Sequence, residues 1–306
     1  MNLSVIIPVF NEKESLPNLI TELEKTLKKF SDYEVIFVDD GSSDGSNDYL
    51  KELSRKNKSY KTIEFYRNFG KAAALSEGFK VAKSDYIITM DADLQDDPAE
   101  IPNLINKLKE GWDLVSGWKK VRNDPINKTL PSKIFNSVTR IMTGVKIHDF
   151  NCGLKGYKNV VIKSLDIYGG RHRYIPALAG QKKFKITEII VNHRSRKYGV
   201  TKYGGSRIFH GFFDLITILF LDRYDQQPLH LFGSFGLLFF TFGLIAEIIV
   251  LYFKYNIGEP FSMHIALLLF GIMLIVIGIQ FFSIGLLAEL LAGNKNNREN
   301  RIKNPD

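Results

Sequence analysis

Tyr86-Ile-Ile-Thr-Met-Asp-Ala-Asp-Leu-Gln-Asp-Asp-Pro98 is the stretch on which the reading of this chain turns. Tyr86–Met90 is a short β-rich run, and it ends directly in acid. Asp91 and Asp93 can point the same way at the end of such a strand, and Gln95 adds a third oxygen. Hard oxygen donors of this kind suit Mg²⁺ or Mn²⁺, which typically keep water and substrate phosphates as their other ligands. The competing reading is an acidic turn that caps the next helix, with Asp96 or Asp97 before Pro98 as the cap.

Working outward, the same arrangement recurs. Leu3–Val9 is an apolar run that leads into Asn11-Glu12, and a helical pattern of Leu16, Leu19, Ile20, Leu23 and Leu27 follows. Tyr33–Val38 is β-rich and ends in Asp39-Asp40-Gly-Ser-Ser-Asp-Gly45. A helix is expected over Ser46–Arg55, a short strand over Thr62–Tyr66 and another helix over Ala72–Ala82. Alternating strands and helices of this length predict a parallel α/β sheet. Ligands of such sheets bind beyond the carboxyl ends of the strands. Those ends carry Asn11-Glu12, Asp39-Asp40 and Asp91-Ala-Asp93, so acid is concentrated where a site is expected. The sequence has neither a Gly-x-Gly-x-x-Gly turn nor a Gly-x-x-x-x-Gly-Lys-Ser/Thr loop, which argues against a dinucleotide site and a P-loop.

Charge is sorted along the 306 residues, whose net charge is +8. Residues 1–100 hold 13 Lys and Arg against 19 Asp and Glu, residues 101–228 hold 23 against 9, and residues 229–306 hold 5 against 5. The last third is strongly apolar. Leu229–Phe253 carries one formal charge, Glu247, and Met263–Leu291 carries one, Glu289. A bilayer core about 30 Å thick needs about 20 apolar residues in a helix, and both segments exceed that. Gly236 and Gly243 are seven apart, as are Gly271, Gly278 and Gly285, which places small residues on one face of each helix. The tail carries Lys295, Arg298, Arg301 and Lys303, whereas the turn between spans carries only Lys254. The positive-inside bias then predicts a cytoplasmic tail and a cytoplasmic N-terminal region, in an inner (plasma) membrane. No signal peptide is read at Leu3–Phe10, a run that Pro8 interrupts. Ser206–Tyr224 places Ile208, Phe212, Leu215, Ile216 and Leu219 at helical spacing, as expected of an amphipathic interface helix. A single cysteine, Cys152, excludes a disulfide framework and reads as a packed small residue.

In combination, Val5-Ile-Ile-Pro-Val-Phe-Asn-Glu12, Val38-Asp-Asp-Gly-Ser-Ser-Asp-Gly45, Arg67-Asn-Phe-Gly-Lys71 and Met90–Pro98 resemble the family 2 glycosyltransferases of GT-A fold. His172-Arg-Tyr-Ile-Pro-Ala-Leu178 and Arg196-Lys-Tyr-Gly-Val-Thr-Lys-Tyr203 resemble the polyprenyl-phosphate branch, which includes dolichol-phosphate mannosyltransferase and the GtrB-like enzymes. The resemblance implies an α/β GT-A catalytic domain over residues 1–205, an interface helix over 206–228, a two-helix membrane hairpin over 229–291 and a basic tail over 292–306. It implies inverting transfer of a sugar from a UDP- or GDP-linked donor to a polyprenyl phosphate such as undecaprenyl phosphate. The alternatives are a processive synthase, a transferase onto a lipid hydroxyl, and a non-catalytic sugar-nucleotide scaffold.

The resemblance also implies residue roles. Pro8, Phe10 and Glu12 would line the base and ribose pocket, completed by Asp39 and Asp40, with Ala92 also on the donor. Asp91, Asp93 and Gln95 would hold Mg²⁺ or Mn²⁺ on the diphosphate. Arg196 and Lys202 would grip phosphate from loop 194–203. Arg122 and Ser132 would serve the acceptor phosphate, while Lys119 stands where an arginine is common. Anionic head groups of the bilayer are expected partners of the basic third, no nucleic acid is expected, and a homo-oligomer is compatible with the sequence. Family members that attack with a sugar hydroxyl use a carboxylate base, often in a Glu-Asp pair; here His172-Arg173 stands in that place. A phosphate acceptor needs no base, so Asp149, Asp166 and Glu188 are not expected to act as one.

Overall fold

The structure is a computed structural model and describes residues 2–120, 126–195, 214–217, 220 and 227–296. It divides into two compact units, Met1–Ile218 and Leu219–Asp306.

The first unit is built on seven strands, β1 (Asn2–Val9), β2 (Asp32–Asp39), β3 (Tyr60–Glu64), β4 (Tyr86–Thr89), β5 (Leu114–Trp118), β6 (Lys155–Lys158) and β7 (Ile186–Ile190), in the sheet order β3-β2-β1-β4-β6-β5-β7. The interior strand β1 (Asn2–Val9) pairs in parallel with β2 (Asp32–Asp39) and β4 (Tyr86–Thr89). Leu3, Val5, Ile6 and Ile7 are fully buried because a central strand is covered on both faces. On one face lies α1 (Leu16–Leu27), whose five periodic apolar residues are all buried. Also on that face is α4 (Ile101–Lys109), with Ile101, Leu104, Ile105 and Leu108 in the same core. The other face carries α3 (Lys71–Val81), which contributes Ala72, Ala74, Leu75 and Phe79. The helix α2 (Ser46–Lys56) precedes the edge strand β3 (Tyr60–Glu64).

Two differences from expectation have local causes. The third strand starts at Tyr60 rather than Thr62, because Val35 of β2 pairs with Tyr60, and it ends before Phe65. The sheet is mixed rather than all parallel: β6 (Lys155–Lys158) is antiparallel between β4 and β5 (Leu114–Trp118). Lys-Gly-Tyr-Lys gives no alternating apolar signal, so the strand is not legible locally. Its neighbours supply the ladder. The unit also contains α5 (Ile126–Thr143), α6 (Asn159–Ser164), α7 (Ile175–Gln181) and the edge strand β7 (Ile186–Ile190), parallel to β5. Of the expected interface helix 206–228, only 214–217, 220, 227 and 228 are described; 214–217 and 220 are helical.

The second unit contains α8 (Pro228–Tyr252) and α9 (Ile265–Asn296). At 25 and 32 residues and 1.5 Å per residue, each is longer than a bilayer core is thick. The glycine stripes are the seam between them. A Cβ at Gly236 would stand 2.8 Å from the Gly278 carbonyl oxygen, and one at Gly243 would stand 2.7 Å from that of Gly271. Only glycine allows backbones this close. Glu289 accepts a hydrogen bond from the Leu229 amide at 3.2 Å, satisfying a donor at the start of α8.

Candidate active site

The carboxyl ends of β1, β2 and β4 meet, as the topology requires. The loops after β1 and β2 are stitched together: the Asn11 amide donates to Ser42 Oγ at 2.9 Å, and Asn11 Oδ1 accepts from the Ser43 amide at 2.8 Å. The Glu12 amide donates to Ser46 Oγ at 3.1 Å. Asn11 sits at φ 53°, a left-handed conformation that asparagine tolerates better than most residues.

Asp39 ends β2 and Asp40 follows it directly, but the two have different surroundings. Both are buried. Asp40 accepts from the Phe69 amide at 2.6 Å and from the Gly70 amide at 2.9 Å, so it clamps the loop that leads into α3. Burial pushes its carboxyl up, while these amides pull it down. Asp39 Oδ2 accepts from the Ser42 amide at 3.2 Å, whereas Oδ1 is shielded from solvent and has no hydrogen-bond partner. A buried, unsatisfied acceptor is costly, and a ligand donor would relieve it.

Asp91 lies at the start of the loop after β4. Its carboxylate pairs with Lys71, and its amide donates to Asp96 Oδ2 at 3.2 Å. Burial alone would raise its pKa, but Lys71, Lys119 and Lys155 outweigh that and hold the pKa at about 2. Asp93 Oδ1 accepts from the Gln95 amide at 3.1 Å. Leu94 between them sits at φ 62° and is buried, an uncommon state for a bulky residue that concentrates strain at this loop. Ala92 is buried as well. The capping expectation holds for Asp97, whose Oδ1 accepts from the Ala99 amide at 3.0 Å. Asp96, itself fully buried, instead pairs with Lys119 at 2.9 Å.

A small pocket opens against Asp91, lined by Pro8, Lys71, Asn151, Lys155 and His172 among others. The structure thus places Pro8 in the wall facing Asp91. Gly153 also lines it: a Cβ there would stand 2.6 Å from Asp91 Oδ2 and 2.8 Å from Asp96 Oδ2. Among the described residues no group of three His, Cys, Asp or Glu side chains could hold a metal. The donor set is oxygen-only, and the cradle at Gly153 leaves Asp91 room. This fits a cation that draws further ligands from phosphate and water.

Cys152 is packed as the sequence suggests, and Lys155, Arg194 and Asp214 join the surroundings of the site without having been singled out in the sequence. Lys155 on β6 is buried beneath Asp91 and donates to the Cys152 carbonyl; burial pushes its ammonium down. Burial also pushes the Cys152 thiol up to about 12. The His172 ring is pushed down to about 3 by burial, then by Lys71 and Arg173, and its Nδ1 is shielded without a partner. Arg194 pairs with Glu22 at 2.6 Å and Asp97 at 2.8 Å, and its amide donates to the Gln95 carbonyl at 3.1 Å. It therefore ties the start of loop 194–203 to the acidic loop. Asp214 abuts Gly170, where a Cβ would collide with its carboxylate. No local signal marks Lys155, Arg194 or Asp214, because their contacts with Asp91, Gln95 and Gly170 span long sequence separations.

The remaining candidates divide. Phe10, Glu12 and Ser132 lie in the described region, with Ser132 half-buried on α5. Arg122, Arg196 and Lys202 lie outside the described residues. Glu188 accepts from the His148 amide at 2.6 Å and from its ring, so its carboxylate is engaged. Asp149 is buried, with Oδ1 accepting from the Asn151 amide at 3.1 Å.

The model of glycosyl transferase family 2 matches residues 4–166. The chain belongs to this family. It is 36 % identical over 301 residues to a dodecaprenyl-phosphate galacturonate synthase of Rhizobium johnstonii, covering 95 % of this chain and 88 % of that one. It is 34 % identical to an undecaprenyl-phosphate 4-deoxy-4-formamido-L-arabinose transferase of Salmonella choleraesuis, covering 94 % and 87 %. Glucosyl-3-phosphoglycerate synthase from Mycobacterium tuberculosis, solved with Mn²⁺ and UDP-glucose, superposes with a TM-score of 0.54 at 18 % identity. That match covers 72 % of this chain and 78 % of that one. At this identity the likeness shows the shared GT-A fold. The family 2 match ends within the sheet unit, whereas the two full-length relatives extend the similarity over nearly the whole chain.

Proposed function

We propose that this family 2 enzyme transfers a sugar from a nucleotide-sugar donor to a polyprenyl phosphate, with inversion, and releases a polyprenyl-phosphate monosaccharide. One observation carries the reading: identity of 36 % and 34 % over 95 % and 94 % of the chain to two transferases named for a polyprenyl phosphate. The two helices α8 and α9, long and apolar enough to cross a membrane, suit a substrate that resides in one.

The site chemistry supports it. Asp39 Oδ1 offers a buried acceptor for a base N–H, with Phe10 and Glu12 on the adjoining loop. Asp91, Asp93 and Gln95 would hold Mg²⁺ or Mn²⁺, which would neutralise the diphosphate leaving group. Lys119 and Lys155 keep positive charge beneath that position. Arg122, Arg196 and Lys202, in the basic third, are proposed to meet phosphate. An acceptor phosphate has a second pKa of about 6, so near neutrality much of it is dianion and attacks without losing a proton. The engagement of Glu188 and Asp149 agrees with a base-free step. We place the catalytic unit and both termini on the cytoplasmic side of an inner membrane, with anionic lipid attracted to the basic third.

A panel of radiolabelled UDP- and GDP-sugars, incubated with undecaprenyl phosphate and Mn²⁺, tests the reading. Label from one donor should pass into the organic phase, EDTA should stop it, and Asp93→Asn should abolish it. Full transfer in excess EDTA would contradict the metal role. Label passing into a water-soluble polymer would favour a processive synthase.

A further inference from the structure

We infer that Lys71 is a resident counter-ion that occupies Asp91 in the donor-free enzyme and yields it to the divalent cation only when a nucleoside diphosphate arrives. This rests on the reading of Asp91 as a metal ligand. It adds an order of events: cation and diphosphate enter as a coupled pair, and Lys71 couples them.

Lys71 is the first residue of α3, directly after the loop that Asp40 holds through the Phe69 and Gly70 amides. Its place is therefore set by the strand that also carries Asp39. From there its ammonium contacts the Asp91 carboxylate. Lys119 and Lys155 act on the same carboxylate; Lys119 also pairs with Asp96 at 2.9 Å, and Lys155 donates to the Cys152 carbonyl. All three cations stay close to Asp91.

A lone divalent cation thus meets a poor site. It must displace the Lys71 ammonium while two further ammoniums repel it, and no group of three metal-binding side chains is assembled among the described residues to compensate. A diphosphate changes the balance. It brings negative charge and hard oxygens into the same space, so the cation gains ligands. Lysine suits the exchange. Its charge sits on a flexible four-carbon stem, and the Lys71 side chain is 24 % exposed, so it can turn from carboxylate to phosphate without repacking the core. Linkage then requires each ligand to raise the affinity of the other by the same factor.

The experiment titrates purified full-length enzyme with Mn²⁺ alone, reading free Mn²⁺ by electron paramagnetic resonance, for wild type, Lys71→Met, Lys71→Arg and Asp91→Asn. Lys71→Met should bind Mn²⁺ at least tenfold more tightly than wild type. Lys71→Arg, which keeps the charge, should stay as weak as wild type, and Asp91→Asn should lose the site. Adding UDP or GDP should tighten Mn²⁺ binding strongly in wild type and several-fold less in Lys71→Met. Equal Mn²⁺ affinity in wild type and Lys71→Met would overturn the inference, as would tightening in Lys71→Arg. Failure of UDP and GDP alike to bind wild type with Mn²⁺ would instead sink the donor reading, while the Mn²⁺-only comparison would still decide the role of Lys71.

Discussion

Among the described residues, Lys119 and Asp96 form the most buried ion pair around the candidate site, with side-chain exposures of 13 % and 0 %. Removing one partner leaves an uncompensated buried charge, which typically costs about 3–5 kcal/mol. Lys119→Met should therefore lower stability by about that amount in denaturant titration. Cys152 gives a second prediction. The thiolate is the reactive form, and at about 12 the thiol stays protonated near pH 8. Iodoacetamide should leave the folded protein unmodified at pH 8 and label it fully once unfolded. Rapid labelling of the native protein would refute the burial. At this scale the sequence was partly legible. Asp91, Asp93 and Asp39 could be read because they follow β-rich runs directly. Lys155, Arg194 and Asp214 could not, because their place near the site depends on Asp91, Gln95 and Gly170, far away in the chain. Lys119, which stands where an arginine is common in the family, is the partner of Asp96.

Among elements, periodicity was informative wherever one face is buried. The apolar positions of α1 are all in the core, and the glycine stripes of α8 and α9 form their seam. The antiparallel β6 was invisible because four residues with two lysines and a glycine carry no period. The seam can be tested directly. A Cβ at Gly278 would stand 2.7 Å from the Gly236 carbonyl oxygen, whereas one at Gly233 meets nothing nearer than 3.5 Å. Overpacking usually costs about 1–3 kcal/mol. Gly278→Leu should lower the thermal midpoint in detergent and expose the hairpin to protease, while Gly233→Ala should leave both near wild type. Equal behaviour of the two would contradict this seam.

For the whole molecule, the sorting of charge matches the division of labour. The acidic third supplies the strands whose ends carry Asp39, Asp40 and Asp91, and the nearly neutral third supplies α8 and α9. The basic tail against the lightly charged turn predicts that both termini face the cytoplasm. A reporter fused at Asp306 should be active only on the inner side; activity only outside would reverse the topology. The central claim is that the acceptor nucleophile is a phosphate. It is tested most directly by offering one labelled donor to the same enzyme preparation with undecaprenyl phosphate or with undecaprenol, and weighing the product by mass spectrometry. The account predicts a phosphodiester-linked monosaccharide from undecaprenyl phosphate and no product from undecaprenol. A glycoside formed on undecaprenol at a comparable rate would contradict it.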